Sequence, residues 1–454
     1  MRGIQIRFNV CRIVFYVLAI CFSSSLFAQT HYFQNLNHND YQLLPEDLKR
    51  IHQRTNFSIK HLITKYPNQV IKKSLFIGHP DAPIINAVGG TFTNALYMRE
   101  YALRLALKTQ TNLAYNSNNL AKAIQAKAFA VNLTEPSGFG NSLTGVISAP
   151  RNLNFGLMEM IAEHLFSMEI LSEISGHKVL NIGHSLGGFI LDFSSIGVRT
   201  DKAGKLYLDH SYGQEVSKKI RGNILLGTPF ALASHDFDAH LIPLLTVIGP
   251  KIIDRSPVFQ KLYRWLHQHN YLSPEQLHMP LSQLQKTSSF FLPGRLENFS
   301  LIPLVDLRLL RASDIHELAN HTLSKSYPTK ILREFDRMLS DGDLMIDFEN
   351  KREISLKNLY KTADASARVA SFINTNRKDP VSRPKDLYMH VTFFRALGVQ
   401  VSSMIQEGGH MNSPLGLYII DSVEAAALMF RDTESALNNQ DASNALYSCS
   451  KSAK

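Results

Sequence analysis

The stretch His177–Phe193, HKVLNIGHSLGGFILDF, decides how the rest of the chain is read. Val179–Ile182 is a short apolar run of the length of a buried strand. Leu186–Phe193 continues as a helix that begins with small residues. Between them stands Gly183-His184-Ser185-Leu186-Gly187, a G-x-S-x-G motif. A strand running into that pentapeptide and a helix running out predict a sharp turn with Ser185 at its tip. The nucleophile on such a turn is held in a strained backbone conformation, and the flanking glycines relieve the crowding around it.

Outward from this stretch the same alternation recurs. PIINAVGG (83–90) is an apolar run stopped by two glycines, and NALYMREYALRLALK (94–108) follows with helical periodicity. KAFAVNL (127–133) reads as a strand and NFGLMEMIAEHLFSMEILSEI (154–174) as a long helix. GNILL (222–226) and RVASFIN (368–374) are two more strands. VTFFRALGVQVSSMIQEGGH (391–410) reads as helix, turn and last strand, and SPLGLYIIDSVEAAALMFRD (413–432) closes with a helix. Strands alternating with helices predict an α/β fold, a mainly parallel sheet covered by helices on both faces.

The chain has 454 residues, 44% of them hydrophobic, which supports a real core and excludes a mainly disordered protein. The formal net charge is +10, and Arg2, Arg7 and Arg12 lie in the first 28 residues, which hold no acid. No dense Lys/Arg run with interleaved aromatics is present, so nucleic acid is not an expected partner. The cysteines are Cys11, Cys21 and Cys449, which excludes a disulfide framework and a thiolate zinc site.

The basic start, the apolar run from Ile13 to Ile20 and the small residues after it read as a signal peptide, 1–28, with cleavage after Ala28. Leu26 is not an ideal residue for that cleavage, which leaves an uncleaved anchor as the alternative. LAIC is similar to a lipobox ending at Cys21, but Ile20 stands where a small residue is needed. Export is therefore the expectation, to the periplasm or beyond. An N-terminal extension with short helices is expected over 29–75, a core in two parts over 76–230 and 366–432, and a disordered polar tail over 433–454. The intervening 231–365 breaks the rhythm with helical pieces rich in Leu and Pro, such as LIPLLTVI, and is expected to form a helical cap.

GHSLGG resembles the nucleophile elbow of the lipase and esterase members of the α/β-hydrolase fold. The resemblance covers roughly 84–230 and 366–432, about half the chain. It implies a serine hydrolase acting on carboxylic esters, with no metal and no cofactor. In that fold the acid and the histidine follow the serine in chain order. His410, in a glycine-rich loop after the last strand, sits where the fold presents its histidine. His184, His210 and His240 have no such setting. Asp379 lies in the loop leaving the penultimate strand and is the expected acid; Asp386 is the fallback, and Asp341, Asp343 and Asp347 compete only if the cap is shorter.

The fold also supplies backbone donors for the oxyanion. One is Leu186, after the serine. The other comes from the loop after the first catalytic strand, here Val88-Gly89-Gly90-Thr91, where many relatives carry His-Gly. That departure leaves Gly90 and Thr91 both as candidates. SGFGNS (137–142) resembles the G-x-G-x-S turn that follows the next strand in this fold. The expected substrate is a small-molecule or lipid ester. The apolar stripes of the cap fit ordinary packing as well as contact with a lipid or membrane surface. An acyltransferase or thioesterase would use the same residues, and an inactive binding protein of the same shape is the third reading.

Overall fold

A computed structural model describes residues 30–55, 58–90, 94–111, 113–138, 143–150, 155–230, 309–310, 330–331, 334, 345–348, 352–379 and 381–431. The expected signal peptide, the expected tail and most of the expected cap lie outside the described residues, as do Thr91, Asn141 and Ser142.

Ten strands form one sheet. They are β1 (His31–Asn35), β2 (Ile59–Lys65), β3 (Ile71–Gly78), β4 (Ile84–Val88), β5 (Ala130–Thr134), β6 (Gly145–Ser148), β7 (Val179–His184), β10 (Ile220–Leu226), β13 (Ser371–Asn376) and β14 (Val401–Gln406). Two short antiparallel pairs stand apart: β8 (Val198–Thr200) with β9 (Leu206–Leu208), and β11 (Met345–Phe348) with β12 (Arg352–Ser355). The order is β1-β2-β3-β5-β4-β7-β10-β13-β14, with β6 beside β3. From β5 to β14 every pairing is parallel, whereas β1, β2, β3 and β6 join antiparallel.

The sequence reading placed only short helices in 29–75; the structure adds β1, β2 and most of β3 there. His31–Asn35 is polar and half exposed, and Lys60, Lys65, Lys72 and Lys73 interrupt the apolar pattern of the next two strands. An edge hairpin of this kind has only one face to bury, so its signal is weaker than that of a parallel strand.

Helices cover both faces. Leu157–Ser175, Leu186–Asp192, Leu356–Thr362 and Pro384–Ala396 pack on one side. Glu46–Arg54, Arg99–Gln110, Ser117–Gln125 and Ile419–Arg431 pack on the other. The strands feed both cores by alternation: Ile84 and Val88 face the first, Ile85 and Ala87 the second.

One polar row crosses this apolar sheet. Asn132 on β5, Asn86 on β4, Asn181 on β7 and Asn223 on β10 stand at matching register positions. Each donates its amide to the next. Asn132 Nδ2 reaches Asn86 Oδ1 at 2.8 Å, Asn86 Nδ2 reaches Asn181 Oδ1 at 3.2 Å and Asn181 Nδ2 reaches Asn223 Oδ1 at 3.2 Å. Ser74 Oγ on β3 donates into the row at Asn132 Oδ1, 2.6 Å. The far end terminates on the Leu191 carbonyl, 3.3 Å from Asn223 Nδ2. All four asparagines are buried, so each amide depends on its neighbours for hydrogen bonds.

The connections also locate the crevice. The chain leaves β4 towards β5, then returns across β4 to β7 and runs on through β10, β13 and β14. The strand order therefore reverses at β4 and β7, and a ligand site is expected beyond their C-terminal ends.

Two predictions follow from the core. Asn181→Ala removes an acceptor from Asn86 and a donor from Asn223, leaving both buried groups unpaired. A loss of about 2–4 kcal/mol is expected in urea unfolding. Buried His164 is pushed down to about 3, by burial first and by the Lys72 charge second. Below the ordinary histidine range the unfolded chain binds a proton that folded His164 refuses, so stability falls as pH drops from 6.5 towards 3. His164→Asn is expected to flatten that part of the urea-midpoint profile relative to the wild type.

Candidate active site

Ser185 sits where β7 ends and the helix Leu186–Asp192 begins, with φ 53° and ψ −117°. Among the described residues only Gln69 and Lys127 share a positive φ without being glycine. The conformation is held from both sides. The Ser185 N–H donates to the Leu226 carbonyl on β10 at 2.9 Å, and the Ser185 carbonyl accepts from the Phe189 N–H at 3.0 Å. The motif glycines have a steric cause. A Cβ on Gly183 would lie 2.5 Å from the Gly188 nitrogen, and one on Gly187 would collide with the Val88 and Gly89 carbonyls at the end of β4. The elbow thus rests directly on the neighbouring strand.

That contact brings the loop after β4 to the serine. A Cβ on Gly90 would lie 3.0 Å from the Ser185 Cβ and 2.9 Å from the His184 carbonyl. Gly90 therefore lies against Ser185, and Leu186 follows the serine as the first residue of the helix. Thr91, the other candidate donor, lies outside the described residues.

His410 opens a single helical turn, His410–Asn412, after β14. Its Nδ1 lies 2.9 Å from Asp379 Oδ2 and 3.1 Å from Oδ1, with both side chains buried. With Nδ1–H donating to that carboxylate, Nε2 carries the lone pair. Asp379 is oriented in turn: its Oδ1 accepts from the Val381 and Ser382 N–H groups, each at 2.8 Å. Asp386 does not enter this pair. It caps its own helix, with Oδ2 3.2 Å from both the Arg383 backbone nitrogen and Arg383 Nε. Asp341 and Asp343 lie outside the described residues, and Asp347 stands in β11, which pairs with β12 and not with the large sheet. His210 begins the helix His210–Ser217, and His240 lies outside the described residues.

Several residues that sequence reasoning passed over hold these groups in place. Gly227, at φ 55° just after β10, is one: a Cβ there would lie 3.1 Å from His410 Nδ1 and 3.2 Å from Asp379 Oδ2. Asn376 Nδ2 donates to the Gly409 carbonyl at 2.6 Å and to Ser413 Oγ at 2.8 Å, fixing the loop that carries His410. His184 ties that loop to the elbow, with Nε2 donating to the His410 carbonyl at 3.1 Å and the two rings 4.9 Å apart. Burial, and then the charge His410 can carry, hold His184 well below the usual histidine range, so it stays neutral. Tyr97 leans on the His184 ring and donates its hydroxyl to the Met411 carbonyl. The sequence signal for Asn376 and Gly227 was a small or polar residue ending an apolar strand, which many loops share.

No family model matches the chain, and no curated protein does. Solved structures resemble it at low identity. The thioesterase domain from the curacin biosynthetic pathway is 14% identical, with 82% of this chain and 99% of that one covered and a TM-score of 0.41. A bacterial membrane phospholipase A is 11% identical, with 95% and 99% covered and a TM-score of 0.42. A thermostable carboxyl esterase from Bacillus coagulans is 15% identical, with 83% and 98% covered and a TM-score of 0.42. The fold follows from the sheet and the elbow rather than from these overlaps. A mainly parallel sheet flanked by helices, with a serine at positive φ where β7 turns into a helix and an Asp–His pair on the loops after its last two strands, gives this chain the α/β-hydrolase fold.

Proposed function

We propose that the protein is an exported serine hydrolase that cleaves carboxylic esters through an acyl-enzyme on Ser185. The observation that carries the reading is the buried contact of His410 Nδ1 with the Asp379 carboxylate, tied through the His184–His410 hydrogen bond to the residue that precedes a serine held at positive φ. A serine hydroxyl is a weak nucleophile until an imidazole takes its proton, and the imidazole needs a carboxylate to fix its tautomer. His410 Nε2 takes the Ser185 proton as Oγ attacks the ester carbonyl. The tetrahedral oxyanion accepts hydrogen bonds from the Leu186 N–H and from the loop after β4, at Gly90 or Thr91. The intermediate collapses as His410 returns the proton to the leaving alcohol. Water, deprotonated by the same imidazole, then releases the acid. Asp379 stays ionised throughout and steadies the imidazolium.

Leu-rich stretches in 231–365, which opens at the C-terminal edge of the sheet after β10, support an acyl chain as the apolar part of the substrate. Export rests on the basic and apolar leader, 1–28.

Ser185→Ala and His410→Ala are each expected to lower kcat/KM for p-nitrophenyl butyrate by ~10⁴-fold or more, and Asp379→Asn by ~10³–10⁴-fold. Asp386→Asn is expected to keep near-normal activity. The reverse result for the two aspartates would reject Asp379 as the acid.

Across p-nitrophenyl esters of graded length, kcat/KM is expected to rise from acetate to a medium chain by about fourfold per methylene, from ~0.8 kcal/mol per buried CH₂. Leu245→Asp in LIPLLTVI is expected to hurt long esters more than acetate. A flat profile would favour a small-ester hydrolase.

A further inference from the structure

The end of β5 grips the loop that carries Gly90 at two points. Thr134 and Glu135 are neighbours there. The Thr134 carbonyl accepts from the Gly89 N–H at 3.1 Å, where the loop leaves β4. Glu135 Oε1 accepts from the Ala95 N–H at 2.8 Å, where the chain enters the turn Ala95–Met98. The same oxygen accepts from Thr144 Oγ1, which closes the far end of the loop that begins at Pro136. Glu135 is itself fixed from below. Lys72 Nζ on β3 donates to the Glu135 carbonyl at 2.5 Å and lies 3.7 Å from Glu163 Oε2. Ser137 Oγ donates to that same Glu163 oxygen. Glu135, Glu163 and Lys72 are exposed by 1%, 3% and 6%. A buried carboxyl group is costly unless it is hydrogen-bonded, and Glu135 Oε1 meets that cost with the Ala95 backbone N–H and the Thr144 hydroxyl.

We infer that Glu135 is a positioning residue: by holding the Ala95 N–H it sets where the Gly90 backbone lies beside Ser185, and so the quality of the oxyanion site. This rests on the serine-hydrolase reading above. An oxyanion donor acts in the transition state, so displacing it lowers kcat more than it alters KM.

The test uses the full chain with p-nitrophenyl butyrate and a trifluoromethyl ketone, whose tetrahedral adduct on serine places an oxyanion in the same site. Glu135→Ala is expected to lower kcat by ~10–100-fold with KM within about threefold, and to raise the inhibition constant of the ketone by a matching factor. Glu135→Gln keeps an acceptor oxygen for Ala95 and is expected to stay within about fivefold of the wild type. Glu135→Asp withdraws the carboxyl group by one methylene while keeping its chemistry; it is expected to behave like the alanine variant and serves if that variant does not fold. Loss of thermal stability with kcat per titrated active site and ketone inhibition both unchanged would overturn the inference and leave the serine-hydrolase reading standing. A folded wild type that neither turns over esters nor binds the ketone would overturn both.

Discussion

The in-register row of asparagine amides across β5, β4, β7 and β10 is the constraint on which the site depends. Apolar strands in a parallel sheet can slide past one another at modest cost when both faces are greasy. A slip of one residue at any of these pairings would turn one asparagine to the opposite face of the sheet and strand its partners. The row therefore fixes how far each strand extends. Because β4 and β7 end level, Val88 and Gly89 meet Gly187, and Gly90 meets Ser185.

Given that register, the rest of the site is assembled by close contact and short polar ties rather than by bulk. Glycine at 183 and 187 lets backbone approach backbone at distances no Cβ allows, and Gly227, at φ 55°, leaves room for the His410–Asp379 pair. Asn376, His184 and Tyr97 each bind the loop of His410 by a different atom. Asp379 receives two backbone N–H groups as well as the imidazole, so its carboxylate has a defined orientation before any substrate arrives. Such preorganisation is what the proposed joint action of a hydroxyl, an imidazole and a carboxylate would require.

Much of this was legible in the sequence because the signals are local. Strand, G-x-S-x-G and helix are contiguous, so Ser185 and its turn could be read directly. Asp379 could be preferred to Asp386 because it precedes Pro384, the first residue of the next helix, and so lies in the loop. The polar edge strands escaped because lysines break their alternation. The asparagine row escaped for a different reason. INAV, VNLT, LNIG and GNIL each carry the signal, but a single asparagine in an apolar run looks like a blemish until the strands are aligned. The grip of Glu135 on Ala95 joins residues 40 apart and has no local trace at all.

In the proposed reaction Ser185 becomes covalently acylated during turnover. Acid quench of the enzyme during steady-state hydrolysis of p-nitrophenyl butyrate, followed by proteolysis and mass spectrometry, tests it most directly. A butyryl group on the peptide containing Ser185, absent from Ser185→Ala, is the predicted result. Turnover with no acylated peptide, or with the acyl group on another residue, would contradict it.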